Sequence, residues 1–287
     1  MTAVAIAAPP PRKRWVQPSI LPGFPLAMGW TLTWLGLIVV LPLIALIVRP
    51  WELGLDGVWK TLTEPRVLAS LRLSFGAAFL AALTNVPLGL LVAWTLTRYE
   101  FPGRRIIDAF VDLPFALPTA VAGIALTALY APTGLLGEPL MKLGIKTAYT
   151  PVGVYIALMF IGLPFVVRSV QPVLQDLDRE VEEAAQTLGA TTVQRFVKVV
   201  LPTVLPALIS GFSLAFARAV GEYGSVIFIA GNMPLKSEIA PLLIVIKLEQ
   251  YDYAGAAVVG LAMLVISFGA LLAVNGAQIF LARRGRA

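Results

Sequence analysis

Six apolar stretches set the rhythm of the chain, at about residues 28–48, 71–97, 106–130, 151–167, 202–230 and 254–281. Most are close to, or longer than, the roughly 20 mostly apolar residues that an α-helix needs to cross a bilayer core. The pattern predicts an all-α membrane protein with six transmembrane helices. The third stretch carries Asp108 and Asp112 only in its first turns, and the fifth contains Arg218 and Glu222. The connections 49–70, 131–150 and 231–253 hold Pro, Gly and mixed charge and are too short to be domains; no tandem repeat is visible. A single membrane domain over 28–282 is expected. A disordered Pro-rich tail (1–27) precedes it and a basic tail (283–287) follows. Arg12, Lys13 and Arg14 could open a secretory signal, but Pro18, Pro22 and Pro25 break any apolar core behind them. The next stretch is long enough to cross and be retained.

Composition narrows the class. The chain is 58% hydrophobic and 13% charged, with mean hydropathy +0.85, where soluble domains carry roughly 25% charged residues. It has no cysteine and no histidine. That excludes disulfides and thiolate metal sites, and it removes the commonest general base and the commonest metal ligand. The net charge of +6 lies scattered over short loops, which favours a positive-inside topology over nucleic-acid binding. Lys and Arg number 13 on the side bearing both termini and the 168–202 loop, and 7 on the other. The richer side is expected to be cytoplasmic.

Residues 183–202 read EAAQTLGATTVQRFVKVVLP. Over Asp178–Phe196, Val181, Ala184, Ala185, Leu188 and Phe196 recur at mostly helical spacing, giving one apolar stripe. Asp178, Glu180, Glu182 and Glu183 crowd the start, where carboxylates suit the positive end of the helix dipole. Gly189 predicts a bend or split, and Pro202 predicts the start of the fifth crossing. Such a helix could lie on lipid headgroups, but lipid-binding helices are usually basic on the polar face. An acidic start fits a protein partner with a basic rim and an apolar groove.

Two sets of embedded residues stand out. Arg218 and Glu222, at i and i+4, share a helix face and can partly neutralise each other. They form either a structural ion pair or part of a hydrated translocation pathway; Gly221 and Gly224 thin the same segment. Pro114 and Pro118 break the third stretch, as a simple bend or as a device that shapes a gate. Asp108 and Asp112 read as N-terminal dipole complementation.

The loop resembles the EAA loop of bacterial ABC importer permeases, whose pattern is E-A-A-x-x-x-G and then, after nine residues, I-x-L-P. Glu183, Ala184, Ala185 and Gly189 fit, followed by Val199, Leu201 and Pro202, with Val in place of Ile. Together with LTRYEFPGRRIIDAFVDLPFALPTAVAG, VRSVQPVL, AVGEYGSVIFIAGN and KSEIAPLLI, the chain is similar to the T-type permeases of sulfate/thiosulfate importers from about Leu21 onward. The resemblance implies a type I ABC importer permease in the bacterial inner membrane, multi-pass, with both termini cytoplasmic. It implies pairing with a second, related permease, two copies of an ATPase below and a periplasmic sulfate-binding protein above. Coupling would run through Glu182, Glu183, Ala184, Ala185, Gly189, Leu201 and Pro202. Arg218, Glu222, Gly221, Pro114 and Pro118 are candidates for the pathway. The chain lacks the G-x-x-x-x-G-K-[ST] phosphate loop, so ATP and Mg would be held by the partner ATPase; no cofactor, metal or catalytic residue is expected here. The alternatives are a permease for molybdate or tungstate, a self-sufficient channel or secondary transporter, and an intramembrane enzyme.

Overall fold

The computed structural model describes residues 23–284, and among them all regular structure is helical. The tail residues 1–22 and 285–287, with Arg12, Lys13, Arg14 and Arg286, lie outside the described residues. The helices are α1 (Phe24–Leu35), α2 (Leu41–Val48), α3 (Gly54–Thr63), α4 (Pro65–Arg98), α5 (Arg104–Val111), α6 (Leu113–Ala116), α7 (Thr119–Tyr130) and α8 (Gly137–Lys142). They continue with α9 (Pro151–Asp176), α10 (Arg179–Thr187), α11 (Thr192–Arg195), α12 (Leu201–Val220), α13 (Val226–Ile229), α14 (Ala240–Glu249) and α15 (Tyr253–Arg284).

Two compact units divide at Ala45. In the first, α1 and a π turn at Gly36–Val40 bury no side chain, and Trp30 meets Trp34 edge-on at 5.7 Å. The helix starts at Phe24, four residues before the first apolar stretch was expected to begin. In the second, α4, α9 and α12 form the core. Buried Ala78, Ala81, Ala82 and Ala93 of α4 meet Val154, Ala157, Val166 and Val170 of α9 and Val204, Leu208 and Ala215 of α12. Small side chains let backbones approach, the usual basis of helix association where lipid tails are as apolar as leucine. At Gly211 of α12 an added Cβ would lie 2.8 Å from the Val166 Cα, a backbone atom that cannot give way. The outward faces stay apolar: Leu80, Leu83 and Leu91 on α4 and Val265, Phe268 and Leu272 on α15 are exposed, as lipid contact requires.

Five helical runs are long and apolar enough to cross a membrane: Phe24–Thr63, Pro65–Arg98, Pro151–Asp176, Thr192–Val220 and Tyr253–Val274. The third apolar stretch is not one of them. It breaks into α5, α6 and α7, because Pro114 sits in the first turn of α6 and Pro118 caps α7 with extended backbone (ψ 133°). The fifth stretch ends as a helix at Val220, not near Ala230, and a short α13 follows. The fourth runs nine residues past Val167, to Asp176.

Pro202 does not begin a helix. Helical structure is continuous from Thr192 through Val220, with a π turn at Phe196–Val200. A proline lacks an N–H and its ring pushes against the carbonyl four residues back. Widening the helix by one residue relieves that conflict, and the Leu201 N–H bonds the Phe196 carbonyl five residues back. The same V-V-L-P tetrapeptide occurs at Val39–Pro42, where the Leu41 N–H bonds the Gly36 carbonyl in an identical π turn. One local sequence gives one local backbone in two places.

Asp252 caps the start of α15, accepting from the Gly255 N–H at 2.9 Å and from Lys247 Nζ at 3.0 Å. Partial burial works against its charge, but the Lys247 ammonium and the Gly255 amide outweigh it and hold the carboxyl below its ordinary value of 3.8. The cap is therefore intact above that value and is lost as pH falls through the depressed one. Protection of the Gly255 amide from hydrogen exchange, relative to an unstructured amide at the same pH, should hold down to about pH 4 and fall only below it. In Asp252→Asn, which cannot pair with the ammonium, that acid-dependent step should be absent.

Candidate coupling and translocation site

The loop between α9 and α12 folds as two short helices with a hinge between them. α10 carries Glu180 and Glu182 in its first turn. It closes at Gly189, which takes φ +86°, a left-handed conformation that side chains with a Cβ rarely adopt. The Gly189 N–H reaches the Gln186 carbonyl at 2.9 Å and the Ala190 N–H reaches the Ala185 carbonyl at 3.0 Å, the paired bonds of a Schellman close. The predicted split at Gly189 is therefore a defined turn. α11 starts with a capping box. Thr191 Oγ1 accepts from the Gln194 N–H at 3.3 Å, while the Gln194 side chain accepts from the Thr191 N–H at 2.9 Å. Arg195 Nη1 donates to Gln186 Oε1 at 2.9 Å, bracing the two helices across the turn.

Charge and apolar surface separate on this hairpin. Glu183 and Ala184 are exposed, Ala185 is half-buried, and Leu188 is 88% exposed. Val181 and Val193 are exposed as well. The apolar stripe read from the sequence is bare at Val181, Ala184 and Leu188, whereas Ala185 is half-buried and Phe196 packs inward. Glu182 turns the other way. Its Oε1 takes a hydrogen bond from Arg98 Nη2 at 2.5 Å, and Arg98 also donates to the Leu177 carbonyl at 3.3 Å and lies over the Trp94 ring at 5.5 Å. Trp94 meets Phe196 edge-on at 6.1 Å. Glu182 thus pins the loop to the end of α4, while Glu183 faces outward. Sequence reasoning placed Arg98 only in the charge count. Its partner lies 84 positions away, beyond any local spacing rule.

Arg218 and Glu222 do pair, Nη1 to Oε2 at 2.5 Å. Glu222 stands beyond the end of α12, in the turn that follows Gly221. Its other oxygen accepts from the Ser225 N–H at 2.9 Å and the Ser225 hydroxyl at 3.0 Å. The side chains are unequally exposed, Arg218 at 37% and Glu222 at 2%. The pair therefore presents a cation outward from an anchored carboxylate, and the cation sits in the last turn of α12, where the helix dipole favours it.

The turn 221–225 meets the Pro118 break. A Cβ added at Gly224 would lie 2.2 Å from Thr119 Oγ1, and one at Gly123 would lie 2.4 Å from the Ser225 carbonyl oxygen. Two interrupted helices thus touch at their interruptions. Broken backbone at membrane depth is tolerated where protein or a water-filled cavity satisfies it. Gly221 has open space around it. Pro114 lies one short helix away, at the start of α6. The structure brings Pro118, Gly221, Arg218 and Glu222 into one neighbourhood, with the loop residues 182–189 at the other end of the Thr192–Val220 run.

Comparison with known proteins places the chain in a family. A family model described as the binding-protein-dependent transport system inner membrane component matches residues 85–286. The sulfate transport system permease protein CysT of Escherichia coli strain K12 is 47% identical over 265 residues, covering 92% of this chain and 96% of that protein. CysT of Synechocystis sp. is 48% identical over 252 residues, covering 87% and 88%. Among solved structures, a bacterial ABC transporter that imports the acidic polysaccharide alginate superposes with TM-score 0.72 at 16% identity, over 89% of this chain and 94% of that one. At that identity the likeness concerns the fold, which is that of an ABC importer permease. A model match over most of the chain, with relatives nearly half identical along nearly all of it, means that the chain belongs to the family of binding-protein-dependent transport system inner membrane components.

Proposed function

We propose that this chain is the sulfate-translocating subunit of an ATP-driven importer, coupled through the α10–α11 hairpin to a separate ATPase. One observation carries the reading. A single helical run, Thr192–Val220, joins the exposed hairpin at one end to Arg218 at the other. Its 29 residues span about 44 Å at 1.5 Å each. Force on the hairpin is thereby delivered to the pair beside the Pro118 break. The bare Val181, Leu188 and Val193 with outward Glu183 suit an apolar groove with a basic rim. The 47% identical relative is a sulfate permease, and sulfate as substrate rests on that likeness.

The wider assembly follows the same reading. A related permease covers part of the apolar exterior, two ATPase copies sit on the cytoplasmic face, and a periplasmic sulfate-binding protein delivers the anion. Both termini are cytoplasmic. ATP and Mg belong to the ATPase, because this chain lacks a phosphate loop. Import of a dianion against an inside-negative potential costs about 2.3 kcal/mol per charge per 100 mV, so an energy source is needed. Arg218 stabilises the anion as it passes, and Glu222 tempers that affinity so that release remains fast.

Radiolabelled sulfate uptake in a strain lacking this chain tests the substrate. Reintroducing the chain should restore ATP-dependent uptake that excess molybdate does not inhibit. Molybdate inhibition equal to that by unlabelled sulfate would reassign the anion. Gly189 tests the handle. A Cβ there meets nothing within 4 Å, so Gly189→Val acts only through its backbone, at about 1–2 kcal/mol. ATPase co-purification should fall by about tenfold with membrane insertion unchanged. Glu183→Lys should weaken the same contact, and full retention in both variants would remove the hairpin from the interface.

A further inference from the structure

A dense polar node lies elsewhere, at Arg168 of α9. Its Nε and Nη2 grip the two carboxylate oxygens of Asp112 at 2.8 and 2.6 Å. Nη1 donates to Asp108 Oδ1 at 2.7 Å and to Gln171 Oε1 at 2.5 Å, and Nη2 also reaches the Asp108 carbonyl at 2.9 Å. A guanidinium has five N–H donors in a rigid fork, and all five are engaged. Asp108 belongs to α5 and Asp112 to the junction between α5 and α6. One helical turn back, Phe165 meets Phe115 of α6 edge-on at 5.0 Å. Among the described residues, every side-chain hydrogen bond accepted by residues 104–118 comes from Arg168 or Gln171. Ile106 and Phe110 point away, exposed.

The Pro-broken segment α5–α6 is thus fastened to one face of α9. That face lies just above the point where α9 gives way to the hairpin, since Arg168 stands eight residues before Asp176. Separating the fork would break the four bonds from Arg168 to Asp108 and Asp112 together, whereas moving the pieces together leaves every bond intact. We propose that Arg168 is a positioning residue. It makes α5–α6 travel as one body with the cytoplasmic end of α9, so that motion of the hairpin reaches the Pro118 break through this clamp as well as along α12. The proposal rests on reading the hairpin as the ATPase contact.

Because the chain has no cysteine, introduced thiols report cleanly. Phe115→Cys and Phe165→Cys, in the full transporter, would be bridged with a short bifunctional thiol reagent. With Arg168 present, bridging should leave sulfate uptake within about twofold of the unbridged pair. Adding Arg168→Gln should cut unbridged uptake by about tenfold or more, the loss expected for one charge-assisted contact. The ATPase should stay bound and hydrolysing, and bridging should restore uptake. Arg168→Lys, which keeps the charge without the fork, should fall between. Bridging that arrests uptake in the presence of Arg168 would overturn the proposal, because α5–α6 would then have to leave α9 during turnover. So would loss of insertion in Arg168→Gln, which would mark a folding role. Failure of the parent chain to retain any ATPase would instead refute the hairpin reading on which the proposal stands.

Discussion

Arg66→Ala is expected to deplete the membrane of folded chain, while Glu238→Ala leaves it folded with a modest loss of stability. The two residues form a two-pronged pair, Nε to Oε2 at 2.8 Å and Nη2 to Oε1 at 2.7 Å. They join the first turn of α4 to the segment just before α14, 172 positions later. The ends of the pair differ in reach. Arg66 is 32% exposed and Glu238 is 1% exposed. Removing the arginine leaves a buried carboxylate without its counter-charge, a defect that costs about 3–5 kcal/mol. Removing the glutamate leaves a cation that can turn to water, at about 1 kcal/mol. Close by, the Ala240 N–H is held by Ser74 Oγ at 2.8 Å, so the junction keeps one fastening either way. Thermal unfolding in detergent should place Arg66→Ala well below Glu238→Ala. Equal midpoints would mean that the pair contributes no more than a surface contact.

The second large effect is expected at Arg218. Changing it to leucine suits the bilayer but leaves Glu222 with only the two donors of Ser225. The cleaner variant combines Arg218→Leu with Glu222→Gln, because the glutamine oxygen still accepts both Ser225 bonds and no charge is stranded. This double variant should insert and bind its ATPase normally. It should import sulfate about 10- to 100-fold more slowly, which corresponds to losing an interaction of about 1.5–3 kcal/mol with a charged group. Normal uptake would make the pair a structural tie alone. A loss of insertion would have the same meaning. Only a transport defect in an assembled complex assigns the cation to the pathway.

Much of the α10–α11 hairpin was legible in advance. Gly189 predicts its own turn, since a left-handed residue is needed to end α10 and only glycine takes that conformation freely. The acidic start and the apolar stripe follow from composition and spacing. Pro114 and Pro118 mark the breaks of the third stretch through the N–H that proline lacks, although Pro87, Pro164, Pro172 and Pro206 stand inside unbroken helices. Pro202 shows how such reasoning can also mislead. A proline after a polar loop reads as a helix start, but Val199 and Val200 sit in a π turn that carries the helix through it. The repeat of V-V-L-P at Val39–Pro42 is the signal that would have revealed it.

The charged residues divide differently. Asp108 and Asp112 read as dipole complementation for their own helix, but both are spent on Arg168, 60 and 56 positions away. Glu182 reads as part of an outward acidic cluster, but it is turned in to Arg98. The sequence by itself determined that this protein is all-helical and membrane-bound, and that its polar segment splits at Gly189. Hydropathy, proline and glycine act over a few neighbouring residues, and a linear chain displays those neighbours. Only the tertiary structure decided which charges pair and which stay outward. A guanidinium bonds whatever the packing of α4, α5, α9 and α12 brings within about 3 Å, and that packing is set by small residues on faces that meet far apart in the chain.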